Sequence, residues 1–160
     1  MKYSLKKSIV LCLALMILCV TTGCYKVEYS ATASILVTNG AVITSYAETT
    51  DKISGSDISA SLYLAETVID ILNTPDIYIE LAEELGEKDY QRLQGAFSVS
   101  RRSEDTLFVD ITYSNADPQR AMDVVNKFAE VACGYIPGFI PSARVNIATL
   151  ATKAKKQAWF

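Results

Sequence analysis

A chain of 160 residues with 15 Lys+Arg, 18 Asp+Glu and no histidine lacks the commonest general base and the commonest metal ligand. Lys2, Lys6 and Lys7 precede an apolar run; without them 12 basic residues face 18 acidic ones, a net charge of −6 that excludes binding to bare nucleic acid. Four cysteines do not make a disulfide framework, because Cys12, Cys19 and Cys24 belong to the apolar segment and only Cys133 lies beyond it, where a buried helix residue is expected.

Ile9–Val20 holds twelve residues with no polar side chain, and Ser8–Tyr25 holds eighteen with no charge. A membrane-spanning helix needs about 20 apolar residues, with about 17 as the lower limit. Two readings compete. The segment stays as a short transmembrane helix, or it is a lipoprotein signal cut before Cys24, which then carries the lipid. Gly23 suits the second reading; Thr21, in place of the usual Leu or Val, does not. Either way three lysines before the run and Lys26 after it put the N-terminus in the cytoplasm and the rest outside, on the cell membrane. The expected division is residues 1–25 as anchor or signal, 26–150 as one extracytoplasmic domain long enough to bury a core, and 151–160 as a basic tail.

Tyr29–Val37 alternates with period two, which predicts a half-buried strand with Tyr29, Ala31, Ala33, Ile35 and Val37 on one face. Gly40–Gly55 is polar and reads as a loop. Ser56 or Asp57 then caps a helix with the stripe Ile58, Leu62, Ala65, Ile69 and Leu72. Thr74 is the expected N-cap of the next helix, with Pro75 at its first position, a stripe of Ile77, Leu81 and Leu85, and Gly86 as its stop. A short helix over Asp89–Gln94 follows. Phe97–Arg101 and Thr106–Tyr113 read as two strands joined by a charged turn at Arg102–Asp105, with Leu107, Val109, Ile111 and Tyr113 inward. Asp117 and Pro118 open the longest helix, whose stripe is Ala121, Val125, Phe128, Ala132 and Tyr135 and which Pro137-Gly138 is expected to break. Ala143–Leu150 is the last strand. Strand, helices, two strands, long helix, strand predicts an α+β domain with a small mixed sheet of about four strands and the helices packed on one side.

Motifs for chemistry are sparse. There is no Gly-x-Ser-x-Gly, no phosphate-binding Gly-Lys-Ser/Thr loop and no metal-ligand pair, so no catalytic, metal or cofactor-binding residue is expected and the chain reads as a non-enzyme. Carboxylates alone can cleave glycosides, yet no spacing singles out a pair among eighteen. Arg101-Arg102 has the chemistry to grip a sugar acid or phosphate, although such a pair is more often a solvated turn. The Asp57–Leu72 stripe serves either as an oligomer seam or, more commonly, as a core face. Tyr29, Tyr113 and Tyr135 lie on buried stripes, so packing is expected of them before carbohydrate stacking.

The order of several short features resembles a known family. A membrane segment runs directly into Tyr29-Ser-Ala-Thr-Ala-Ser-Ile-Leu-Val37. Asn73-Thr74-Pro75 separates two helices and Leu85-Gly86 closes the second. Phe97-Ser98-Val99 leads into Asp105-Thr106-Leu107-Phe108-Val109-Asp110-Ile111, and Asp117-Pro118-Gln119-Arg120-Ala121 opens a helix containing Val125-Asn126-Lys127-Phe128-Ala129. Together these resemble the polysaccharide chain-length determinants, or co-polymerases, and most of all their Gram-positive capsule branch that also modulates tyrosine kinases. The likeness covers about Lys26 to Ile147. It implies non-enzymatic work: a membrane-anchored oligomer, formed with itself or with full-length homologues around the polysaccharide polymerase and export machinery, that sets polymer length. No cofactor is implied. Family members carry a second membrane helix behind a proline-rich approach, and the kinase-modulating branch adds a cytoplasmic tail; Lys153–Lys156 stands where that approach is expected, which leaves tyrosine-kinase contact in doubt. The alternative of a different class is a surface lipoprotein that captures a ligand, with Cys24 as the lipid-attachment residue.

Overall fold

The computed structural model describes residues 27–40 and 55–158. The expected anchor or signal segment with Cys12, Cys19 and Cys24, most of the expected loop Gly40–Gly55 and the terminal Trp159-Phe160 lie outside the described residues. Among the described residues nine elements follow in chain order: β1 (Val27–Asn39), α1 (Gly55–Leu72), α2 (Pro75–Leu85), α3 (Tyr90–Ala96), β2 (Phe97–Arg101), β3 (Phe108–Asn115), α4 (Pro118–Phe139), β4 (Ala143–Thr149) and β5 (Lys155–Ala158). Glu28–Gln157 form one compact unit.

The strand order is β2-β3-β1-β4, with β5 also paired to β1, and the sheet is antiparallel. β1 is its spine. Tyr29–Leu36 pair with Phe108–Asn115 on one side. On the other side the C-terminal half of β1 pairs with β4, with a register shift between Ser34 and Ile35. β5 takes up the same strand further along, so β4 and β5 act as one return strand interrupted by a detour at residues 150–154. The sequence expectation of a mixed sheet of about four strands becomes an antiparallel sheet of five, because part of the segment read as a basic tail is β5. Its alternation is hidden: an edge strand with lysines carries no apolar face to read.

The α+β class stands as expected, with the helices on one face. Ala31, Ala33, Ile35 and Val37 of β1 and Val109, Ile111 and Tyr113 of β3 point into the core. Across from them α4 supplies Ala121, Val125, Phe128, Ala129, Ala132 and Ile136. At the centre is an aromatic cluster. Phe128 lies 5.3 Å from Tyr78 and 4.7 Å from Phe97, and Phe97 lies 4.6 Å from Tyr113, all between ring centroids. These separations fall in the range where aromatic pairs add to their burial.

Three local expectations are corrected. The buried face of α1 is Ser61, Ala65, Val68 and Leu72; of the expected stripe only Ala65 and Leu72 are fully inside, and Ile58 is 49% exposed. The helix is apolar on more than one side, so the stripe could be drawn a residue out of phase. Thr74 does occupy the N-cap position of α2, but its hydroxyl makes no cap bond there. It donates backward to the Ile71 carbonyl at 2.7 Å, and Asn73 Nδ2 donates to the Ile69 carbonyl at 2.9 Å, so the pair closes the end of α1. Pro137 does not break α4, which continues to Phe139. A proline in the last turn forfeits one hydrogen bond, and the turn still closes through Ile140 N–H to the Ile136 carbonyl at 2.9 Å. Gly86 ends α2 as expected, at φ 67°, with Glu87 N–H reaching the Ala82 carbonyl at 2.8 Å.

Candidate functional site

Strand alternation puts a second set of residues on the sheet face away from the helices. β1 contributes Ser30, Thr32, Ser34, Leu36 and Thr38; β3 contributes Phe108, Asp110, Thr112 and Ser114; β2 contributes Ser98 and Ser100. Thr32, Ser98 and Ser100 are exposed. Opposed residues meet across the strands: Thr32 Oγ1 and Thr112 Oγ1 are 2.9 Å apart, and Ser34 Oγ donates to Asp110 Oδ1 at 2.6 Å.

Arg102, just past β2, lies down on this face. Its Nη2 donates to Asp110 Oδ1 at 2.9 Å and to Ser34 Oγ at 2.7 Å, and its Nε donates to Asp110 Oδ2 at 3.2 Å. The guanidinium sits 5.0 Å over the Phe108 ring. The bidentate bond to Asp110 holds the guanidinium above its ordinary range. Ser34, only 3% exposed, is sealed beneath the pair. The arrangement clasps β2, β3 and β1 side by side: the arginine comes from the turn after β2, the carboxylate from β3 and the hydroxyl from β1.

Arg101 takes the other direction. It pairs with Glu66 of α1, beside a shallow groove of about 240 Å³ lined by Ser59, Leu62, Tyr63, Glu66 and Arg101. Tyr63 is 77% exposed. The two arginines that the sequence sets side by side therefore serve opposite faces, and each already holds a carboxylate.

The other singled-out residues are placed as follows. Cys24 lies outside the described residues. Asp117 is a helix cap, accepting from Gln119 N–H at 2.8 Å and Arg120 N–H at 3.4 Å. Cys133 is half-buried against the core, and burial pushes its thiol up. Among the described residues no group of His, Cys, Asp or Glu side chains converges to hold a metal ion, and no helix is long and apolar enough to cross a membrane. The face offers hydroxyl hydrogen bonding to a ligand or a neighbouring protein, and the carboxylate of Asp110 is tied to a guanidinium.

Sequence reasoning missed Ser34, Phe108, Asp110 and Glu66. A signal for two of them exists: with Val109 and Ile111 inward, Phe108 and Asp110 must face out, and an arginine just past the preceding strand is then within reach of Asp110. No protein-family model matches the chain, and no curated protein sequence matches it.

Proposed function

We propose that this protein is a non-enzymatic, membrane-anchored scaffold in extracellular or capsular polysaccharide biosynthesis and export, acting on polymer chain length. The observation that carries the proposal is the position of β1. The apolar segment leads within two residues of Tyr25 into a thirteen-residue strand that is the spine of the sheet. In sequence only Lys26 separates Tyr25 from Val27, the first residue of the strand. A ruler or scaffold needs its domain held close over the membrane and a catalyst does not, and so short a connection in sequence suits that need. The ordered resemblance to chain-length determinants supports the same reading, and assembly with itself or with full-length homologues beside the polymerase follows from it.

The test is deletion of the gene followed by gel profiling of surface polysaccharide, together with crosslinking of the protein in intact membranes. The expected result is a changed length distribution and crosslinked oligomers. A monomer in both membrane and detergent, with an unchanged polymer profile, refutes the proposal.

A further inference from the structure

We propose that the groove between α1 and β2 is a binding site for a neutral saccharide, with Tyr63 as the platform for a sugar ring and Glu66 as the acceptor for its hydroxyls. The inference is drawn from the chemistry of the groove. It goes beyond the scaffold reading by giving the domain a direct hold on a polymer.

Helical spacing builds the groove. Ser59, Leu62, Tyr63 and Glu66 stand three and four residues apart, so they share one face of α1 over two turns, about 10 Å. α1 packs against β2, which brings Arg101 to that face, where it pairs with Glu66. The space they line, about 240 Å³, is smaller than the roughly 300–1,000 Å³ of a pocket for a drug-sized molecule. It suits a short stretch of a longer ligand whose remainder stays in water.

Packing does not account for Tyr63. At 77% exposure it is the most exposed large apolar side chain among the described residues, and its hydroxyl makes no hydrogen bond among them. Leu62 beside it is only half-buried. A sugar ring carries C–H groups on its faces and hydroxyls around its rim. It can lay a face on the tyrosine and turn its rim to the polar neighbours.

Electrostatics then choose among ligand classes. Glu66 and Arg101 cancel, so the groove holds no net charge for an ion. Arg101 is the inner partner, with its side chain 19% exposed, and Glu66 the outer, at 55%. A phosphate or a sugar acid would meet the carboxylate before the guanidinium. A wholly apolar ligand would strip water from that carboxylate and return no hydrogen bond. Sugar hydroxyls can donate to it, in bonds about twice as strong as those to a neutral acceptor. A neutral saccharide answers both the ring and the carboxylate.

The experiment titrates the full chain, in a detergent without a sugar headgroup, with maltohexaose, cellohexaose and chitohexaose as neutral probes and hexagalacturonate and inorganic phosphate as anionic ones. Calorimetry and saturation-transfer NMR read the binding. At least one neutral probe should bind and the anions should not. Tyr63→Ala should weaken binding about tenfold, while Tyr63→Phe, which keeps the ring, should stay within about twofold. Because Tyr63 is exposed, both variants should melt like the parent, so a lost affinity is not a lost fold. No binding of any neutral probe, binding unchanged by Tyr63→Ala, or tighter binding of the anions overturns the site. The scaffold reading is judged separately. A polymer profile altered by gene deletion without saccharide binding overturns the groove and leaves the scaffold standing. Tyr63-dependent binding by a monomer whose deletion leaves the profile unchanged does the reverse.

Discussion

Replacing Asn126 by alanine should unfasten the return strand. Asn126 is half-buried on α4, and its side-chain amide pairs with one residue of the β4–β5 detour: Ala151 N–H donates to Asn126 Oδ1 at 2.7 Å, and Asn126 Nδ2 donates to the Ala151 carbonyl at 3.1 Å. The amide does for Ala151 what a neighbouring strand would do. Ala151 is 8% exposed, so Asn126→Ala leaves a donor and an acceptor with little access to water. Each orphaned group costs about 1–1.5 kcal/mol, giving about 2–3 kcal/mol in all. For a unit spanning Glu28–Gln157 that is a fall of about 8–12 °C in Tm. Asn126→Asp sharpens the test. The new carboxylate can still accept from Ala151 N–H but turns a lone pair toward the Ala151 carbonyl, so at neutral pH it should be no better than alanine. Once protonated, the same carboxyl can donate to that carbonyl, and its folded-state pKa is therefore raised. The stabilising bond is present at low pH and is lost as pH rises through the folded pKa, so Asn126→Asp should close part of its gap to the parent in acid while Asn126→Ala does not. Thermal melts by circular dichroism across pH, with hydrogen exchange at the Ala151 amide, read both effects. A parental Tm for Asn126→Ala with the Ala151 amide still protected would show that the detour is held by other contacts and refute the reasoning.

Phe128→Ala empties the centre of the aromatic cluster; Phe128 is fully buried, and a loss of about 3–5 kcal/mol is expected, visible as a collapsed denaturation midpoint in urea. Burial pushes the Tyr78 phenol up to about 12 from an ordinary 10. The neutral form is favoured in the folded state, so this contribution is intact below pH 10 and drains away as pH rises from 10 to 12. Tyr78→Phe should flatten that part of the stability–pH curve, and ultraviolet titration should show one late-ionising tyrosine fewer. Mass spectrometry of the mature protein decides the anchor: an intact Met1 upholds a retained span, and a chain beginning at lipid-modified Cys24 upholds the lipoprotein.

What could be read from the sequence followed from one-sided burial. β1 and β3 alternate cleanly because one face meets the helices, and Ala31 through Val37 and Val109 through Tyr113 were inward on pattern alone. α4 showed its stripe for the same reason. The element that escaped, β5, buries little, and no periodicity marks it. In α1 too many positions are apolar: Ile58, Leu62 and Leu64 compete with Ser61, Ala65 and Val68, and a buried serine does not announce itself. Thr74 showed the right cap position and the wrong bond, since a hydroxyl between two helices can serve either. The polar face was harder still. Arg101 and Arg102 are neighbours in sequence and opposites in space, and Arg102 has Asp110 nearby, but the rest of what each binds comes from far along the chain: Ser34 for one, Glu66 for the other.

The scaffold and the ligand-capturing lipoprotein make opposite demands on the junction at Lys26-Val27. A scaffold that measures or positions a polymer needs the spine of the sheet fixed over its anchor; a module that captures a ligand needs only to be retained near the surface. Inserting ten Gly/Ser residues between Lys26 and Val27 separates the two. Such a linker has an r.m.s. span of about 18 Å and imposes no orientation. It leaves β1 and its pairings untouched, because the insertion precedes Val27, the first residue of the strand. The variant should therefore melt like the parent. Under the scaffold reading the polymer-length profile should shift toward that of the deletion strain, although the domain is folded, anchored and present at the same level. A profile identical to the parent's would mean that the short junction has no part in the function, and the observation on which the scaffold proposal stands would lose its force.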